Sequence, residues 1–322
     1  DIDLAIAGQD AEDNFVFDVY FKDDTADNYI KDSDFSRAGF INGDLKIVDR
    51  DLDGDNDIIF IGENSNGEPI GGTIFNTYIK ANNSSNNWSF NSEIRLKNSS
   101  IEVAKLSVED NYITEISNGQ DSEGNIKLYF NGQEYQNNTY PTLENGDIAV
   151  ADYNNDGKND ILFIGENEDG VPVTKLFKQA PASSYSAESY DFKDSGIELI
   201  GLRASTANWV DYDMDGDLDL FLTGVGESGA ETLLYETEIA NKKNIPPSQI
   251  TGLELVDLGN GNVRFNWDLP EDDYASNLGY VLRVGTTPGG TELSNTESDL
   301  LTGERLISKA PPIYNNFYDM QL

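Results

Sequence analysis

At 322 residues the chain is long enough for one large domain or two ordinary ones, and a composition of 38% hydrophobic and 11% aromatic residues can supply a buried core. Its 21 basic against 59 acidic residues give a formal charge of −38, a field that repels nucleic-acid phosphates and anionic membrane surfaces and favours divalent cations as partners. Cysteine and histidine are both absent, which excludes disulfides, thiolate zinc sites, cysteine nucleophiles, imidazole ligands and every serine–histidine–aspartate arrangement, and leaves oxygen as the ligand type.

The chain opens on Asp1 with neither an initiator Met nor a basic-plus-apolar signal, and reads as a mature or excised piece of a longer polypeptide. No apolar run approaches the ~20 residues of a membrane span. The first element, Asp3-Leu4-Ala5-Ile6-Ala7-Gly8, is a strand-length apolar run closed by glycine, the second half of a phrase that returns in fuller form.

That fuller form begins with Gly43-Asp44-Leu45-Lys46-Ile47-Val48-Asp49, passes through an acidic loop, and continues as Ile58-Ile59-Phe60-Ile61-Gly62 and, after a polar turn, Thr73-Ile74-Phe75. Next come Ile113 to Gly119 and Lys127 to Phe130, a unit whose acidic loop has been lost. The phrase then recurs with Gly146 to Asp152, Ile161 to Gly165 and Thr174 to Phe177, and again with Asn208 to Asp211, Leu220 to Gly224 and Thr232 to Tyr235. Units of roughly 55 residues, each strand, loop, strand, turn, strand and a variable outer segment, predict a radial β-propeller of four-stranded blades, with an array of β-sandwiches as the competing architecture. Five units precede residue 240, the first without its opening strand.

Residues 241–248 form a linker around Pro246-Pro247. Beyond it, in 249–322, Leu253 to Leu255, Val263 to Trp267 and Tyr280 to Val284 alternate as half-buried strands. Trp209 and Trp267 read as core residues.

Three acidic loops share one spacing: Asp49, Asp51, Asp53, Gly54, Asp55 and Asp57; Asp152, Asn154, Asp156, Gly157, Lys158 and Asp160; Asp211, Asp213, Asp215, Gly216, Asp217 and Asp219. Oxygen side chains at positions 1, 3 and 5, with glycine at 6 to reverse the backbone, suit a turn wrapped around Ca2+, and position 9 closes the shell from the next strand. Position 7 is Asp55, Lys158 or Asp217; since an ammonium cannot coordinate a cation, it offers its backbone carbonyl. An EF-hand needs a glutamate at position 12, where Phe60, Phe163 and Leu222 stand instead. The bland reading of the same residues is a set of solvated turns. About three Ca2+ sites are expected.

On these loops, residues 1–240 resemble the FG-GAP/VCBS repeat family, the propeller repeats of integrin α-subunit heads and of many secreted bacterial proteins. That resemblance implies four-stranded blades, typically seven, with a calcium loop joining the first two strands of each. Residues 249–322, on Pro246-Pro247, Leu253, Trp267, Tyr280 and the phrase Leu282 to Gly290, look like a truncated fibronectin type III module of large exported Bacteroidota proteins. The function it implies is a non-catalytic, calcium-stabilised binding, adhesion or display module, exported to the cell surface or beyond, with a glycan or protein ligand. The Tyr- and Asn-bearing outer segments 82–88 and 185–190 are candidates for ligand contact. Two alternatives stand beside it: a calcium-dependent polysaccharide lyase, for which no paired acid–base constellation stands out, and a structural subunit of an outer-surface complex with a fixed protein neighbour.

Overall fold

In a computed structural model, the structure describes residues 4–23, 28–48, 50, 57–77, 87–91, 94–104, 106, 113–136, 139–180, 192–238, 247–259, 261–271, 278–287, 290, 313 and 316–321. They are organised as six antiparallel sheets. The first joins β1 (Leu4–Gln9), β2 (Phe15–Asp23) and β3 (Asn28–Lys31). The second joins β4 (Ile41–Val48), β5 (Asp57–Glu63), β6 (Pro69–Thr77) and β7 (Asn87–Asn91), and the third β8 (Lys97–Ala104), β9 (Thr114–Gln120), β10 (Ile126–Phe130) and β11 (Gln133–Glu134). The fourth contains β12 (Glu144–Ala151), β13 (Asp160–Glu166), β14 (Pro172–Gln179) and β15 (Phe192–Asp194), and the fifth β16 (Arg203–Val210), β17 (Asp219–Gly226) and β18 (Gly229–Tyr235). A sixth, β19 (Glu254–Gly259), β20 (Asn262–Asn266) and β21 (Phe317–Gln321), stands in the C-terminal region.

The first five sheets are meanders in which strands pair in chain order, and they stack face against face. A sheet between two others buries both faces of its second strand, which is apolar without alternation in Ile161-Leu162-Phe163-Ile164 but carries buried polar residues in Thr114-Glu115-Ile116-Ser117-Asn118. Ile161 and Phe163 face the third sheet with Ile116 and Leu128; Leu162 and Ile164 face the fifth with Leu220 and Leu222. Between the first and second sheets the contact is aromatic, with Phe17 edge-on to Phe35 and Phe40 at ring distances of 5.1 Å.

The first strands of the second to fifth sheets each carry a bulge at the same place: between Ile41 and Asp44, Lys97 and Ser100, Glu144 and Asp147, and Arg203 and Thr206. The bulge presses the strand onto its neighbour so closely that a Cβ on Gly43 or Gly146 would lie 1.9 Å from the carbonyl oxygen of Ile61 or Ile164. The four first strands stand side by side, β4 by β8, β8 by β12 and β12 by β16. Aspartates stitch this row together: Asp44 Oδ2 accepts the Ile101 N–H at 3.2 Å, and Asp147 Oδ2 accepts the Ala207 N–H at 3.1 Å and the Thr206 hydroxyl at 3.0 Å.

The expected radial β-propeller of four-stranded blades is not found: the chain is all-β, but among the described residues its sheets are small, of three or four strands, and they are not closed into a propeller arrangement. The repeated phrase encodes each hairpin and its two apolar faces, which is enough to stack neighbours. Closure depends on the contact between the end sheets, and no local phrase encodes that. The fibronectin type III-like sandwich expected of 249–322 is corrected likewise. Among the described residues this region holds one three-stranded sheet and a bridge between Tyr280 and Ile313, gathered around the buried Trp267.

Candidate metal centre

Each acidic loop lies between the first and second strands of its sheet. Asp49, Asp51, Asp53 and Asp55 of the first loop lie outside the described residues, as do 82–86 and 185–190 of the outer segments. Asp57 is described: it is 1% exposed, and its Oδ2 accepts the Arg50 N–H at 3.0 Å.

The other two loops share one hydrogen-bonded skeleton. At position 1, Asp152 accepts the N–H groups of Asp156 at 2.9 Å and Gly157 at 2.7 Å; Asp211 accepts those of Asp215 at 3.0 Å and Gly216 at 3.1 Å. These bonds curl the loop around its first carboxylate, and Gly157 and Gly216, at φ 86° and 96°, supply the left-handed step the curl requires. At position 9, Asp160 accepts the Gln179 N–H at 2.8 Å and the Asn154 side-chain amide at 2.8 Å; Asp219 accepts the N–H groups of Thr237 at 2.8 Å and Tyr212 at 3.3 Å. Both position-9 groups are 1% exposed and tie the loop to the third strand at Gln179 or to the residues just after it at Thr237, an anchoring role that the spacing alone did not reveal.

Asp211, Asp213 and Asp215 come together, with one carboxylate oxygen from each within 4.8 Å of the others; Asp211 is half-buried, Asp213 and Asp215 exposed. Oxygens around a cation that holds its ligands at 2.3–2.6 Å are separated by up to about 5 Å, so this spacing admits a hard dication. Asp217 is buried beside them, and its N–H bonds to Asp215 Oδ1 at 3.1 Å.

In the loop of 152–160 the acids are fewer and Lys158 is half-buried among them. Asp156 Oδ2 lies 3.8 Å from Lys178 Nζ, while its Oδ1 is buried and accepts no hydrogen bond. Such an oxygen is rare in a folded chain and suits a cation ligand. Burial pushes the Asp160 carboxyl up to about 8, against the pull of the Gln179 N–H, with repulsion from Asp156 and Asp152 adding to the rise. Asp152 is raised as well, chiefly by burial, and positive charge in the loop would relieve both. The two loops touch: Asn155 Nδ2 donates to the Gly216 carbonyl at 3.3 Å, and Tyr153 stacks on Trp209 at 5.9 Å.

A second charged cluster escaped the sequence analysis. Lys46 on β4 lies 3.2 Å from Asp44 Oδ2 and 3.6 Å from Glu102 Oε2 on β8, with Asp147 of β12 in its field. Burial raises Glu102 and Asp147, the Lys46 charge offsets part of that in each, and the surrounding carboxylates hold Lys46 above its ordinary value. The signal was present in the recurring pairs Gly43-Asp44 and Gly146-Asp147, which were read only as repeat markers.

Comparison with protein-family models and with curated proteins gave no match. With the open sheets, this overturns the FG-GAP/VCBS and fibronectin type III identities and the descriptors that came with them. The calcium-stabilised adhesion or display module is corrected on the same ground, because no structural feature supports such a module and what the fold presents instead is a cluster of three carboxylates.

Proposed function

We propose that this chain is a divalent-cation-binding protein whose principal site is the loop of 211–219, with the loop of 152–160 as a second, less acidic one. The observation that carries this reading is the convergence of Asp211, Asp213 and Asp215 on a loop whose skeleton recurs at 152–160. Asp211, Asp213 and Asp215 would supply side-chain oxygens and Asp217 its backbone carbonyl; in the second loop Asp152, Asn154 and Asp156 would do the same with the carbonyl of Lys158. Asp219 and Asp160 hold the loops in place from the strand side. The first loop, Asp49 to Asp57, is proposed as a third site on its sequence.

An all-oxygen donor set favours hard ions such as Ca2+. In the extracellular or cell-surface setting proposed with it, where calcium modules bind with Kd of about 10⁻⁴–10⁻³ M, millimolar Ca2+ would fill such sites. Isothermal titration of the chelator-treated chain with Ca2+, Mg2+ and Mn2+ tests the reading. Saturable binding is expected, with the site of 211–219 lost and the others kept in Asp213→Asn together with Asp215→Asn; absence of binding by all three ions would refute it.

A further inference from the structure

Resting on the cation-binding reading above, we infer that the loops of 152–160 and 211–219 form one coupled unit, in which a cation held by either loop tightens the other through Asn155. Asn155 stands at position 4, which carries no proposed ligand. It is 6% exposed and held at φ 51°, a left-handed conformation that asparagine tolerates better than most side chains. Met214 takes the same step in the next loop, at φ 61°, yet is 89% exposed. Position 2 differs in the same way: Tyr153 is half-buried against Trp209, whereas Tyr212 is 49% exposed. Burial of the even positions is therefore not needed to fold their own loop, and in 152–160 these side chains are turned to the neighbouring sheet.

The contact ends on a peptide group that a ligand already holds. Asn155 Nδ2 donates to the Gly216 carbonyl at 3.3 Å, and the N–H of the same peptide unit, that of Asp217, donates to Asp215 Oδ1 at 3.1 Å. One peptide plane thus has Asn155 at its oxygen and Asp215, a proposed ligand at position 5, at its nitrogen. The Asp217 carbonyl, also a proposed ligand, follows directly. Asn155 is itself flanked by Asn154 and Asp156, the proposed ligands at positions 3 and 5: the Asn154 side-chain amide donates to Asp160 at 2.8 Å, and the Asp156 N–H to Asp152 at 2.9 Å. A cation drawing Asn154 and Asp156 together fixes the backbone between them, which aims the Asn155 amide and with it the 216–217 peptide. Hydrogen bonds in such a chain polarise one another.

The sheets beneath the loops leave little room for the change to be absorbed. β12 and β16 stand side by side, tied by Asp147 to Thr206 and Ala207, and Tyr153 stacks on Trp209 at 5.9 Å, just ahead of Asp211. Repulsion between two dications opposes the coupling, but at physiological salt a Debye length of about 8 Å screens it across the exposed loops, and the hydrogen-bonded link decides the sign. Coupling between binding sites is reciprocal, so each loop tightens the other by one and the same factor.

The Gly157 and Gly216 amides, which bond to Asp152 and Asp211, read the two loops separately when their chemical shifts are followed by NMR as Ca2+ is added to the chelator-treated full chain. Asp152→Asn together with Asp156→Asn disables 152–160 and should raise the Ca2+ midpoint at Gly216 about fivefold or more. Asn155→Gly, which keeps the left-handed backbone and every proposed ligand, should raise it as much, and adding it to the disabled chain should change the midpoint by less than about twofold. Asp213→Asn together with Asp215→Asn should raise the Gly157 midpoint by the same factor. A Gly216 midpoint indifferent to the state of 152–160, or raised in the disabled chain but not by Asn155→Gly, would overturn the coupling and leave cation binding intact. Failure of both amides to respond to Ca2+ would overturn the coupling and the cation-binding reading together.

Discussion

Replacing Asp213 by Asn should raise the stability of the cation-free chain and lower its response to Ca2+, two effects of opposite sign from one side chain. The carboxylate oxygens of Asp211, Asp213 and Asp215 lie within 4.8 Å of one another. Unit charges at that separation repel by about 0.9 kcal/mol in bulk water and about 3.5 kcal/mol at an effective dielectric near 20. Two of the three groups are exposed, so the lower figure governs, and a Debye length of about 8 Å at physiological salt roughly halves it. Asp213→Asn removes two of the three pairwise repulsions, and its Oδ1 still accepts the Asp215 N–H at 3.2 Å. The expected gain in chelator is about 1 kcal/mol, or roughly 2–4 °C in Tm for a domain of this size. Millimolar Ca2+ should stabilise the unmodified chain by about 0.4–1.4 kcal/mol for each filled loop. The variant should forgo the share that belongs to 211–219. Thermal unfolding followed by circular dichroism, in chelator and in Ca2+, reads both effects. A lower Tm for the variant in chelator would refute the electrostatic account, and an equal gain from Ca2+ in both proteins would refute the assignment of Asp213 as a ligand.

The cluster around Lys46 gives a pH signature. Glu102 and Asp147 hold protons more tightly in the folded chain than in the unfolded one, so their contribution to stability is greatest below an ordinary carboxylate value of about 4 and declines as pH rises through their raised values. Glu102→Gln should therefore flatten the fall of the urea midpoint between pH 4 and 7, and an unchanged slope would count against the cluster. Lys46→Met leaves Asp44, Glu102 and Asp147 without their shared cation and should cost about 3 kcal/mol in urea unfolding at pH 7. Gly146→Ala should cost about 3 kcal/mol or more, because its Cβ would meet the Ile164 carbonyl; a loss under 1 kcal/mol would show that the bulge can relax.

The strands, the turns and the position of the acidic loops were legible in the sequence because each is written in a few adjacent residues. Ile161 to Gly165 reads as a strand from its short apolar run, and it packs as one buried on both faces. The glycine at position 6 of each loop announces the left-handed step found at Gly157 and Gly216. What stayed hidden depends on partners far along the chain. Asp44 bonds to a backbone group 57 residues away and Asp147 to one 60 residues away, so the phrase Gly-Asp could be recognised as recurrent without its purpose being visible.

The same distinction explains why a propeller was expected and an open row was found. A repeat states how one sheet meets the next, and the described residues contain four such meetings, each a continuous apolar cluster. The end sheets are written in the same phrase, yet their outer faces retain exposed Leu4, Ile6, Val210 and Leu234. Burial of those residues is a property of whatever stands beyond them. The loops escape that dependence, since position 1 curls the turn and position 9 ties it to its own sheet. A cation site built this way would be complete within one sheet, and the proposed cation binding, which rests on the spacing of the loops, does not depend on ring closure.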